Sequence, residues 1–315
     1  TRVKSSHVQT KVDTTNLNLI SSKDSILDTA KIFEMIEGKG YAKRARAAEE
    51  LGKIVSEGSI SRLVKALDDK SKQVRIKATT SLGEIASEAS IYGLAKATTD
   101  SSYRVRRAAI LGLQRIGTED VISILISMTE DRHSKIRIAT VNALGAIKLD
   151  ASTHLIDTMI TNITISLLRL AIEDENLNVK LNAIKTLGYL QSEEALPLII
   201  EATKNSYLAL AAVEALEKIR TKAAINALIS LVSDERAELR LSAIENLETM
   251  GADIPISLCL EKMQDKDYRV AFIATRAVMR QETGDITNDL LKMITSQDSN
   301  VRWRAAMALG KIDSE

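Results

Sequence analysis

The chain has 315 residues, with 43 Lys and Arg against 42 Asp and Glu, 45% hydrophobic residues and only 3% aromatics. A net charge of +1 argues against holding nucleic acid by bulk electrostatics. A single cysteine, Cys259, excludes a disulfide framework and any multi-thiolate metal site. Two prolines, Pro197 and Pro255, leave few breaks, so helix is favoured.

Residues 1–24 are rich in Ser, Thr, Asn and Lys and read as a flexible N-terminal arm. They lack the apolar core of about 7–15 residues that a secretory signal needs. No run of about 18 apolar residues occurs anywhere. With one thiol and no export signal, a cytoplasmic location is expected.

From residue 25 onward the chain repeats itself. Val74-Arg75 through Leu82-Gly83 returns as Val105-Arg106 through Leu113-Gln114 and as Ile136-Arg137 through Leu144-Gly145. The same frame recurs at Lys43, Val179, Leu208, Leu239, Val270 and Val301. The steps from Lys43 to Val301 are 31, 31, 31, 43, 29, 31, 31 and 31 residues. Such periods mark stacked supersecondary units. Each unit reads as two helices. The first carries apolar residues at helical spacing, as in Ile60, Leu63, Val64 and Leu67, and ends near an aspartate such as Asp69, Asp100, Asp131, Asp174, Asp234 or Asp265. The second starts at the frame residue, position 0 below, and lines one face with positions 0, +4, +5, +8 and +11. A hairpin this short cannot bury its apolar face alone, so stacking must supply the core. The expected fold is all-α, an α-α superhelix of about nine two-helix repeats forming one solenoid over 25–315.

Asp69 with Arg75, Asp100 with Arg106, Asp131 with Arg137 and Asp234 with Arg240 lie six residues apart, followed by Ala and Leu-Gly as at Ala78 and Leu82-Gly83. This pattern resembles the HEAT-like repeats of the armadillo-type class, in the short 31-residue form also found in phycobilin-lyase-related proteins. The resemblance covers about nine-tenths of the chain. It implies the fold and leaves function open, since the family includes scaffolds, lyases, a hydroxylase and DNA-repair proteins. Three units depart from it, with Gly38 in place of the aspartate and Ala209 and Ala271 in place of the arginine. The arginine reads as structural, tying the turn to the aspartate of its own or the next unit.

The fifth unit holds a 12-residue excess, an irregular insertion around 148–163. Leu155, Ile156, Met159 and Ile160 there repeat at helical spacing, which predicts an extra turn or a lengthened first helix. A tolerated edge insertion is the simpler expectation; a binding element is the alternative. The last helix carries Val301, Trp303, Ala305, Ala306, Leu309 and Ile312 with no polar unit after it. Arg302, Arg304 and Lys311 are expected to supply a polar end, with self-association through this helix as the alternative.

No catalytic or metal-ligand constellation emerges, so no enzyme, metal or cofactor is expected. The resemblance to the di-iron hydroxylases fails for lack of ligands: His7, His133 and His154 are never followed by Glu. Cys259 replaces a core leucine, and no phosphate-binding glycine loop is present. Tyr41, Tyr103, Tyr207 and Tyr268, just before second helices, read as packing between repeats.

What remains is surface. The resemblance implies that second helices line the concave side, with positions +3, +6 and +10 exposed. The expected partner-binding residues are Arg46, Lys53, Lys77, Arg115, Asn142, Lys185, Tyr189, Arg276, Arg280 and Arg304. They describe a groove with basic ends and a small, mildly apolar middle, suited to a protein or peptide. The expected function is therefore a non-enzymatic interaction scaffold. The alternatives are nucleic-acid binding along a basic strip on repeats two to four (Lys70, Lys72, Arg104, Arg107, Arg132 and Lys135) and a lyase-type accessory subunit. Aromatics hardly occur at the groove positions, which leaves base stacking without a platform.

Overall fold

The protein is described by a computed structural model over residues 23–147, 156–280 and 286–312. Most of the expected arm, residues 148–155 of the insertion, His7 and His154 lie outside the described residues. Among the described residues there are eighteen α-helices and no strands, and the helices come as nine hairpins. The fold is an all-α solenoid.

The chain divides into two compact bodies, 1–116 and 117–315. The first holds α1 (Lys23–Glu37), α2 (Tyr41–Leu51), α3 (Glu57–Ala66), α4 (Lys72–Ile85), α5 (Ile91–Ala97) and α6 (Tyr103–Ile116). The second opens with α7 (Glu119–Ser127), α8 (Ser134–Ala146), α9 (Ile156–Glu173), α10 (Leu177–Tyr189), α11 (Leu196–Ala202) and α12 (Ala209–Ile219). It continues with α13 (Lys222–Leu231), α14 (Ala237–Met250), α15 (Ile256–Lys262), α16 (Tyr268–Arg280), α17 (Thr287–Ile294) and α18 (Ser299–Ile312). Part of the fifth unit's extra length lies in α9, which has 18 residues where α7 has 9 and α11 has 7.

Second helices pack on one another in chain order: α2, α4 and α6 in the first body, and α8, α10, α12, α14, α16 and α18 in the second. Their inward stripe is the predicted one. Val74, Ala78 and Leu82 are fully buried, as are Val179, Ala183 and Leu187. Small residues set the spacing. A Cβ on Gly83 would lie 2.6 Å from the Gly112 Cα, and one on Gly188 would lie 2.6 Å from the Ala215 Cα. Position +9 of one second helix therefore touches position +7 of the next almost backbone to backbone. Several helix starts are capped by side chains. Ser56 accepts from the Ser59 N–H, Thr221 from the Ala224 N–H, and Asn176 from the Asn178 N–H.

The Arg–Asp pairs join successive hairpins. Arg44 donates Nε and Nη2 to Asp69, Arg75 to Asp100 and Arg240 to Asp265, each 25 residues on. Arg137 makes the same fork to Asp174, 37 residues on, so the rung keeps its register across the 12-residue excess. The third nitrogen points home. Nη1 of Arg75 donates to the Asp69 carbonyl, and Nη1 of Arg240 to the Asp234 carbonyl. Each aspartate also closes its own turn, accepting an N–H two residues on, as Asp69 does from Ser71 and Asp174 from Asn176. The sequence leaves own or next unit open; the side chain takes the carboxylate of the next and the backbone of its own.

The irregular rungs are compensated or vacated. Ala209 brings no guanidinium to Asp234, and Arg236 replaces it from the other side. It chelates Asp234 through Nε and Nη2 and also donates Nη2 to the Thr203 carbonyl. Thr203 lies six residues before Ala209, so this carbonyl matches the one a regular arginine uses. Between the fifth and sixth hairpins both partners change, to Lys180 and Thr203; between the eighth and ninth they are Ala271 and Ser296.

The rungs make stability depend on acid. Arg44 holds the Asp69 carboxyl below its ordinary range. Burial pushes Asp100, Asp174 and Asp265 up, but the paired arginines and turn N–H groups outweigh it and hold them low. A folded-state pKa below the unfolded one stabilises the fold above the ordinary carboxylate pKa of about 4. That stabilisation is lost as pH falls through the depressed values. The urea midpoint is expected to stay level from about pH 7 to about pH 5 and to drop steeply below about pH 4. A level midpoint down to about pH 2 would contradict a charged ladder.

Candidate functional site

The second helices of the second body present one outward row that repeats without interruption. At position +2 stand Ile138, Leu181, Leu210, Leu241, Phe272 and Trp303. Leu210 is 53% exposed, Phe272 50% and Trp303 57%, while Ile138, Leu181 and Leu241 are partly exposed. Their helices pack in that order, so neighbouring members stand about 10 Å apart. The row widens from aliphatic to aromatic toward α18. Contiguous exposed apolar surface of this kind marks interaction sites on soluble proteins.

Ion pairs flank the row. Lys185 Nζ lies 2.6 Å from Glu214, which also accepts from the Tyr189 hydroxyl at 3.1 Å. Burial raises the Glu214 carboxyl, but Lys185 and Tyr189 hold it below the usual range. Glu248, 7% exposed, binds Arg276 at 2.5 Å and faces Arg280 at 3.5 Å. These contacts cross from one hairpin to the next.

Nine of the ten predicted binding residues reach the surface. Arg46, Lys53, Arg115, Asn142, Tyr189 and Arg280 are exposed, and Lys77, Lys185 and Arg276 are half-buried. Lys77 pairs with Glu49 at 3.0 Å and Lys53 with Glu50 at 2.9 Å, while Arg115 donates to the Gly83 carbonyl at 3.4 Å. Most of the expected basic character is thus neutralised within the protein. Arg304 is a correction: it is buried at 7% exposure and donates Nε to the Met263 carbonyl. Position +3 leans toward the preceding helix, and Ala211 and Ile273, its counterparts, are buried too. The expected packing role of the tyrosines is corrected at Tyr41 and Tyr268, which are 58% and 75% exposed. Tyr207 does bridge hairpins, donating to Asn178 at 2.7 Å.

The six strip residues are all exposed, with Lys70, Lys72, Arg104 and Arg107 in the first body and Arg132 and Lys135 in the second. Arg104 lies beside the Tyr103 ring, 5.9 Å from its centroid. Cys259 is buried at 2% exposure. Among the described residues no group of three His, Cys, Asp or Glu is placed to hold a metal ion, and no helix is long and apolar enough to cross a membrane.

The +2 row was not among the expected site residues. Its apolar identity makes it read as core; its steady recurrence outside the 0, +4, +8 stripe was the available signal.

Comparison with known proteins agrees with the fold. Among curated proteins no sequence matches the chain. A chain from the structure titled for Kap95p binding and the switch loops of RanGDP is similar to it, with TM-score 0.60 and 16% identity. That match covers 91% of this chain and 45% of the other, so this chain spans less than half the length of its structural relative. An engineered protein aligns at 18% identity and TM-score 0.39, covering 91% of this chain and 99% of that one. The family of HEAT repeats matches residues 29–102, 91–162 and 165–248. Over most of its length, then, the chain is built from units of that family: it belongs to the HEAT-repeat proteins.

Proposed function

We propose that the protein is a non-enzymatic interaction scaffold that binds a partner protein segment along the second helices of its second body. The observation that carries this is the +2 row, in which Leu210, Phe272 and Trp303 are about half exposed and Leu241 between them is partly exposed. Rigid, stacked helices hold the row ready, which lowers the ordering cost of binding. The ion pairs beside it favour a partner with apolar residues at a helical or extended spacing and mixed charge around them. Similarity in fold to a chain from a protein–protein complex supports a protein as the partner class.

The test uses affinity capture with the full chain and with a Leu210→Glu/Phe272→Glu variant, followed by titration of the recovered partner. The variant keeps the wild-type melting temperature and weakens binding by about 30-fold or more, as loss of aromatic and aliphatic anchors does at interfaces. Full retention of the partner by this variant, with loss on Arg46→Glu/Lys77→Glu, would move the site to the first body. Salt-dependent binding of duplex DNA or RNA, abolished by charge reversal at Lys70 and Arg107, would replace a protein partner with nucleic acid.

A further inference from the structure

The last hairpin carries the joining residues of an interior repeat on a face that nothing among the described residues covers. In interior hairpins, positions +1, +5 and +9 of the second helix meet the hairpin that follows. At +1, the Arg44, Arg75 and Arg240 side chains are only 12%, 14% and 5% exposed. At +5, Ala48, Val213 and Thr275 are fully buried. At +9, Gly52, Gly83, Gly145 and Gly188 each stand where a Cβ would strike the next second helix. On α18 the same positions are Arg302, Ala306 and Gly310, one stripe at i, i+4 and i+8, and all three are exposed. A Cβ on Gly310 would meet nothing within 4 Å.

Arg302 is already set for its rung. Its Nη1 donates to the Ser296 and Gln297 carbonyls at 2.9 Å each, as Arg240 Nη1 donates to Asp234 and Glu235. In Arg240 the remaining fork, Nε and Nη2, takes Asp265. In Arg302 that fork meets no carboxylate among the described residues. In the rungs described above each arginine has an aspartate at the partner position, although the reverse fails at Asp234, which Ala209 leaves to Arg236. Arg75 has Asp100 and Arg240 has Asp265, whereas Lys180 faces Thr203 and Ala271 faces Ser296. An arginine kept in rung geometry therefore points to a carboxylate partner.

We infer that the open face of α18 is a docking surface for one further helical hairpin whose turn carries an aspartate. The carboxylate takes the Arg302 fork, and a small residue of its second helix lies against Gly310. A second copy of this chain stacked head to tail does not fit, because its first hairpin offers Gly38 at the turn instead of an aspartate.

The experiment extends the full chain after Glu315 with a copy of residues 58–86, which sets the copied Asp69 at the rung spacing of 25 residues beyond Arg302. A second extension, copied from 254–280, places the copied Asp265 at the same spacing. Amide exchange across α18 is expected to slow by roughly 30-fold in at least one extended chain. Arg302→Ala, or alanine at the copied aspartate, should return it to the unextended rate, and the two together should do no more. In the unextended chain Arg302→Ala loses only its two turn bonds and should change exchange far less than in the extended chain. Unaltered exchange in both extensions overturns the inference, as does an equal effect of Arg302→Ala with and without the added hairpin. So does an Arg302-dependent dimer of the unextended chain, which would make the occupant a second copy.

Discussion

Replacing Asp174 with alanine is expected to destabilise the second body by about 3–5 kcal/mol, the usual cost of removing one partner from a buried ion pair. The Asp174 and Arg137 side chains are 3% and 10% exposed. Their two hydrogen bonds, at 2.6 and 2.8 Å, form a bidentate fork. Truncation leaves the Arg137 guanidinium buried with only the Asp131 carbonyl, and it also removes the acceptor for the Asn176 N–H. Arg137→Ala should cost a similar amount by stranding the carboxylate. The double variant should cost less than the sum, because the second change removes the charge that the first left unpaired. Urea denaturation of the four chains measures the coupling. The pair sits where the 12-residue excess falls, so it ties α8 to the α9–α10 hairpin across that excess, beside the exposed Arg169–Glu130 pair that spans it too. Single losses near or below about 1 kcal/mol would mean the fork is solvated like a surface pair.

The same residues show what a sequence of this kind gives away and what it withholds. The hairpins were legible because the apolar stripe and the Asp–Arg spacing recur, and recurrence separates a structural role from accident. The direction of the rung was not, because an arginine six residues after an aspartate reaches either way in one dimension. Only the geometry of Arg75, with Nη1 on the backbone behind it and the fork on Asp100 ahead, decides. Surface character failed for a related reason. Lys185 and Glu214 are 29 residues apart, and Glu248 and Arg276 are 28 apart, so each cation looked free when its own helix was read alone. Position +2 was missed because Leu210, Leu241 and Phe272 carry the chemistry of a core, and burial depends on what stacks above a residue rather than on what it is. Arg304 failed in the opposite sense: a charged side chain read as exposed is buried because a turn carbonyl, that of Met263, lies within its reach.

The backbone-to-backbone approach of Gly83 and Gly112 in the first body gives the second large effect. Gly83→Val is expected to cost about 3 kcal/mol, at the upper end of overpacking penalties. Glycine inside a helix is disfavoured by about 0.5–1 kcal/mol relative to alanine, so the substitution improves local propensity and must lose through packing. The obstacle is backbone: the new Cβ would lie 2.6 Å from the Gly112 Cα and 3.4 Å from its nitrogen. Rotamer changes cannot relieve that, so α4 and α6 have to separate. Separation opens gaps beside Leu82 and Leu113, both fully buried, and forfeits their dispersion contacts. Gly310→Ala is the internal control. It lies in the last second helix at the matching position, and its Cβ would meet nothing within 4 Å. It should be neutral or raise stability by up to about 1 kcal/mol. Measured side by side in urea, the two substitutions divide helix propensity from inter-repeat packing. Equal and small effects would show that the solenoid adjusts its spacing freely, and that the small residues at +9 and +7 do not set it.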